Sequence, residues 1–139
     1  GLMQVMPSTA KHVGLADEKA LLEPGKNLDI GQDYILELFQ RPAINGDLVK
    51  LLVAYNAGPT NLANWEDDVP GAKDDPLLYI ESIPMAETRA YIEKVMANYW
   101  MYQRRSGLQT PSLDRLAQGM WVSYAAMQKI QPYQTALSD

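Results

Sequence analysis

The stretch Leu48–Ala57 constrains the fold more than any other. Its ten residues are apolar around nearly the whole circumference, with Lys50 and Asn56 the polar exceptions. A helix with so little polar surface has to be wrapped by other elements. Asp47 is placed to cap its start, and Gly58 and Pro59 to stop it. A chain built on such a segment is expected to be all-α, with helix 48–57 at its centre.

The rest of the pattern is helical too. Pro7 suits a first helical position, and a short turn over 8–13 ends at Gly14. Residues 15–26, with Pro24 and Gly25, read as a loop. Asn27 then reads as the N-cap of a helix over about 28–40, which carries Tyr34, Ile35, Leu38 and Phe39 at helical spacing. After Pro59 comes a short turn over 61–65 and a solvated loop over 66–75 with five acidic side chains. Asp75 and Pro76 start a short helix over 77–81. A long helix runs from about 85 to 105, where Tyr91, Val95, Tyr99 and Tyr102 recur every three or four residues beside Ile92 and Met96. Ser112 caps a last helix striped by Leu113, Leu116, Ala117, Met120, Tyr124 and Met127. No window alternates at period two, so no strand is expected.

With 139 residues and 47% apolar side chains, the chain has material for a single core. Its net charge is −5, from 12 Lys and Arg against 17 Asp and Glu. That sign disfavours nucleic acid and anionic membrane surfaces as partners. Cysteine is absent and His12 is the single histidine. Thiolate and multi-histidine metal sites are thereby excluded, and a serine triad would need His12 as its base. Carboxylates become the leading candidates for acid–base work. The acidic run Glu66, Asp67, Asp68, Asp74 and Asp75 lacks the spacing of an EF-hand and reads as solvated, with no metal expected.

Three clusters carry possible chemistry. In residues 1–10 the Gln4 amide offers donors and an acceptor suited to sugar hydroxyls and acetamido groups, and Met3 and Met6 offer adaptable apolar contact. The same segment also reads as a loop feeding a capped helix. At the end of the buried helix stand Tyr55 and Asn56. Left unpaired, buried polar groups cost about 1–3 kcal/mol each, so the pair either braces the helix end or faces a cleft. In residues 83–91, Glu87 falls in a first helical turn, where the helix dipole favours a negative charge. Arg89 is able to hold a carboxylate in bidentate fashion.

Taken in order, the opening Gly1-Leu2-Met3-Gln4-Val5-Met6-Pro7-Ser8-Thr9-Ala10, the segment Asn27-Leu28-Asp29-Ile30-Gly31, the core Ala54-Tyr55-Asn56-Ala57-Gly58-Pro59 and the helix start Ile83-Pro84-Met85-Ala86-Glu87-Thr88-Arg89-Ala90-Tyr91-Ile92 resemble the lytic transglycosylase SLT domain, a relative of goose-type lysozyme. The likeness covers about residues 1–105. It implies a lysozyme-like helical fold, of which this chain is the C-terminal part, followed by a helical extension over 106–139. It also implies a bacterial periplasmic or cell-envelope enzyme acting on peptidoglycan. Such an enzyme cleaves the β-1,4 bond between N-acetylmuramic acid and N-acetylglucosamine and closes a 1,6-anhydro ring. No cofactor is implied. One glutamate serves first as acid and then as base, and it needs a partly apolar setting that keeps it protonated.

In the family that glutamate lies in a Glu-Ser motif upstream of the Gly1-Leu2-Met3-Gln4 position, so the catalytic acid is expected upstream of Gly1. The chain by itself is then expected to be an inactive piece of a longer protein, with an uncovered core that promotes self-association. By residue-to-residue transfer, Gln4 and Met6 would contact sugar, Tyr55 would orient the catalytic carboxylate, Asn56 would support the cleft wall and Glu87 would line the cleft. Pro84 and Arg89 would be architectural. Two other functions fit the same residues. One is a non-catalytic peptidoglycan-binding or scaffold module, and the other is a lysozyme that hydrolyses with water. A phage or secretion-system origin also fits.

Overall fold

The computed structural model describes residues 1–14 and 17–123. Among them the chain forms seven helices: α1 (Pro7–His12), α2 (Pro24–Phe39), α3 (Leu48–Ala57), α4 (Pro59–Asp68), α5 (Pro76–Ser82), α6 (Ala86–Arg105) and α7 (Pro111–Ala117). A 3-10 turn, Glu18–Leu22, precedes α2. Five of the seven helices start on proline, whose fixed φ and missing N–H suit a first turn. Within the described residues no strand forms, and Asp47 and Ser123 make an isolated antiparallel bridge. The all-α architecture is the one expected from the sequence.

The central helix is where the sequence places it. The Asp47 carboxylate accepts the Lys50 N–H at 2.9 Å and so caps α3. Val49, Leu51, Leu52, Val53 and Ala54 are all buried. α3 packs against α2, α4 and α6. Leu38, Leu62, Trp65, Tyr79, Ile92, Met96, Leu116 and Val122 complete one core around it. A smaller cluster of Ala10, Leu21 and Ile30, with Val5 and Val13 against it, fastens the N-terminal segment to α2.

Several local expectations are corrected. Residues 15–26 are not simply a loop, because the 3-10 turn lies within them and α2 already begins at Pro24. Asn27 is therefore not an N-cap. It lies inside α2, 2% exposed, because its amide is engaged by distant backbone groups. The turn at 61–65 is a full helix, α4. Gly58, at φ 91°, swings the chain, and Pro59 starts the next helix as it ends the last. Glu66 consequently lies on α4, where it pairs with Lys50 at 2.5 Å.

On α6 the buried ridge is Thr88, Ile92, Met96 and Gln103. Tyr91, Val95 and Tyr99 flank it, and Tyr102 is exposed. Ser112 does not cap α7; it lies inside the helix and accepts the Trp100 indole N–H at 2.8 Å. α7 ends at Ala117, since Gly119 at φ 71° turns the chain, so its stripe breaks before the exposed Met120. Tyr124 and Met127 lie outside the described residues. The segment after α7 folds back onto α3. Val122 N–H donates to the second Asp47 oxygen at 2.7 Å, and Leu48 N–H donates to the Val122 carbonyl at 2.8 Å.

Candidate functional site

Residues distant in sequence meet at the C-terminal end of α3. The Tyr55 hydroxyl donates to the Met3 carbonyl at 2.8 Å, across 52 positions of chain. The ring of Tyr55 packs on that of Tyr34 on α2, with centroids 5.5 Å apart. Burial pushes the Tyr55 phenol up to about 12, and it raises those of Tyr34 and Tyr91 as well. These three hydroxyls therefore remain neutral donors through the physiological range.

The Met3–Gln4 segment is held from several sides. Met3 N–H donates to the Asn27 Oδ1 at 2.7 Å, and the Asn27 Nδ2 donates to the Leu21 carbonyl at 3.1 Å. The Met3 side chain lies over Gly31, where an added Cβ would come within 2.6 Å of the methionine Cγ. Gln4 has φ 52°, a left-handed conformation that costs a residue with a Cβ about 1–2 kcal/mol. Its backbone N–H and its Nε2 both donate to the Gly1 carbonyl, at 3.2 and 2.7 Å. Met6 is 65% exposed at the N-cap of α1.

On the other side of Tyr55, the exposed Asn56 accepts the Thr88 hydroxyl at 2.8 Å. Thr88 is buried in the first turn of α6, next to the exposed Glu87. Arg89 donates to the Ile83 carbonyl and so braces the entry to α6, and it pairs with no carboxylate among the described residues. The structure thus links Gln4, through Met3, to Tyr55, and links Asn56, through Thr88, to the turn bearing Glu87. Sequence reasoning missed Asn27, Gly31, Tyr34 and Thr88 as parts of this arrangement. The signal was available on α2: asparagine and glycine are both poor formers of a helix interior, and four residues apart they share one face.

An open cavity of about 210 Å³ lies beside Tyr34, lined also by Ser8, Thr9, His12 and Arg41. Glu37 accepts from Arg41 at 2.8 Å and pairs with His12 at 3.0 Å. Arg41 and then His12 hold its carboxyl below the usual glutamate range. Gln4, Tyr55, Asn56 and Glu87 do not line this cavity. Asp47 is a carboxyl raised by burial, but Lys50 N–H and Val122 N–H occupy its two oxygens.

Residues 1–78 match the transglycosylase SLT domain family. The chain is 36% identical over 111 residues to a soluble lytic murein transglycosylase of Escherichia coli strain K12, covering 75% of this chain and 17% of that protein. It is 32% identical over 121 residues to a putative soluble lytic murein transglycosylase of Haemophilus influenzae, covering 81% of this chain and 20% of that protein. A transglycosylase of Enterobacteria phage PRD1 is 35% identical over 107 residues, 77% of this chain and 31% of its own length. Among solved structures, an inactive glutamate-to-glutamine mutant of the lytic transglycosylase Slt from Pseudomonas aeruginosa superposes with a TM-score of 0.66 at 33% identity, over 76% of this chain and 17% of that one. The chain spans about a fifth of the length of the first cellular relatives it matches. Its fold is the lysozyme-like all-α fold of that neighbour, and the chain belongs to the transglycosylase SLT domain family.

Proposed function

We propose that the protein carrying this chain is a peptidoglycan lytic transglycosylase of the bacterial periplasm or cell envelope. It cleaves the bond from N-acetylmuramic acid to N-acetylglucosamine and leaves a 1,6-anhydro end. The observation that carries this reading is the hydrogen bond from Tyr55 to the Met3 carbonyl. It brings the amide-bearing opening segment and the end of the core helix onto one surface, in a chain whose relatives are named as murein transglycosylases.

In this reading Gln4 and Met6 contact sugar. Tyr55 sits near the catalytic carboxylate and helps orient it by holding the Met3 carbonyl, to which its one hydroxyl proton is given, while Asn56 supports the wall and Glu87 lines it. The acid has to be a carboxyl kept protonated in a partly apolar setting and free to reach the glycosidic oxygen. Asp47 is buried, but both its oxygens are committed to backbone donors, and Glu87 is exposed at a helix start. Neither Asp47 nor Glu87 is therefore the acid in this reading. Residues 1–105 form the SLT portion and 106–139 its extension.

Digestion of purified peptidoglycan tests the proposal, with product masses read by mass spectrometry. The protein at its natural length is expected to release muropeptides one water lighter than hydrolysis products. Products with ordinary reducing ends would make it a lysozyme, and retention of glycan without cleavage would make it a binding module. Either result overturns the transglycosylase reading.

A further inference from the structure

Met3 is fixed at three independent points. Its N–H meets Asn27, its side chain fills the space over Gly31, and its carbonyl meets Tyr55. A residue held by donor, side chain and acceptor at once dictates the backbone of the next one. That next residue is Gln4, which adopts the left-handed conformation a glutamine rarely takes. With Nε2 turned to the Gly1 carbonyl, the Gln4 Oε1 meets no donor among the described residues. It is an acceptor open to a ligand N–H or hydroxyl.

Two of the three points lie on α2. Asn27 and Gly31 are four residues apart, on the helix face beneath Met3. Neither choice serves the helix itself. Asparagine and glycine both weaken a helix interior, and Asn27 turns its amide oxygen to Met3 and its amide nitrogen to Leu21. Backbone strain at a functional position persists when its surroundings over-determine it. Here the surroundings are Asn27, Gly31 and Tyr55.

We propose that Asn27 and Gly31 are positioning residues, which act through Met3 to hold Gln4 in its left-handed conformation with its side-chain oxygen presented to glycan. Its glycan half rests on the transglycosylase reading; its structural half does not.

The test uses the protein at its natural length and the substitution Asn27→Ala. Hydrogen exchange over residues 2–5 is expected to speed up by about tenfold or more, while the α3 amides keep their protection. The value of kcat/KM on peptidoglycan strands is expected to fall by about ten- to a hundredfold. In a Gln4→Ala background, the same Asn27→Ala change is expected to lower kcat/KM by less than about twofold, since its effect passes through Gln4. Equal losses in both backgrounds would reduce Asn27 to a general structural role and overturn the proposal. Unchanged exchange over residues 2–5 would overturn it as well. If Asn27→Ala does not fold, Gly31→Ala displaces Met3 by crowding its side chain instead and is read by the same measurements. If the unaltered protein leaves peptidoglycan uncut, the transglycosylase reading fails by itself, and the exchange experiment still decides whether α2 holds the segment.

Discussion

Replacing Gly31 by alanine makes the sharpest stability test of the packing under Met3. In a helix interior the exchange of glycine for alanine ordinarily stabilises by about 0.5–1 kcal/mol. At Gly31 the new Cβ would lie 2.6 Å from the Met3 Cγ, 2.7 Å from its Cβ and 2.8 Å from its Cε. Rotation of the methionine tip relieves the last contact but not the one at Cβ, so the Met3 backbone has to shift. Overpacking of this kind costs about 1–3 kcal/mol. The shift also loosens the bonds to Asn27 and Tyr55, each worth about 0.5–1.5 kcal/mol. Set against the helix gain, the net expectation is a destabilisation of about 1–3 kcal/mol. For a domain of this size that lowers Tm by roughly 3–10 °C. Gly25 lies in the same helix with nothing within 4 Å of an added Cβ. Gly25→Ala is therefore expected to raise Tm slightly. Thermal unfolding followed by circular dichroism reads both. If Gly31→Ala raises Tm as Gly25→Ala does, Met3 is not seated on α2 and the reasoning fails.

Leu62 on α4 is fully buried against the α3 core, and Leu62→Ala is expected to cost about 2–5 kcal/mol, read as a lower urea midpoint at unchanged slope. Burial holds the Asp47 carboxyl above its ordinary value, so the folded chain binds this proton more tightly than the unfolded one. The contribution of Asp47 is then most favourable below the ordinary carboxylate range and declines as pH rises through the raised folded value. Relative to Asp47→Asn, the unaltered chain is expected to lose stability over that window, and a pH-independent difference would refute the assignment. Glu37 has the opposite sign: Arg41 and His12 lower its pKa, so its contribution is present above the ordinary glutamate range and is lost as pH falls through the folded value. Glu37→Gln is expected to remove that loss, as measured by denaturant titrations across acidic pH.

The parts of the fold legible in the sequence are those whose signals are local. Asp47 with its apolar run, Asp75 with Pro76, and the long helix over 86–105 each carry cap, stripe and stop within a few positions. The misread parts depend on partners far along the chain. Asn27 looks like a cap until Met3, 24 residues away, claims its oxygen. Pro59 looks like a full stop, yet a proline that ends one helix is also pre-shaped to begin another. The stripe through Met120 promises more helix, and Gly119 breaks it. Of the candidate site, Gln4, Tyr55 and Asn56 were legible as polar groups needing partners. The layer beneath them on α2, and Thr88 behind Asn56, became visible once the contacts were known.

Asp47 also bears on where this domain can be cut. The family match stops at residue 78, and the likeness read from motifs fades near 105. Yet a single carboxylate both starts the innermost helix and grips Val122, a fully enclosed core residue. An expression boundary drawn at the edge of homology would strip Val122 from the interior and leave half of that carboxylate without a donor. The unit that folds is thus longer than the unit that is recognisable, and truncations should keep residues through at least 123.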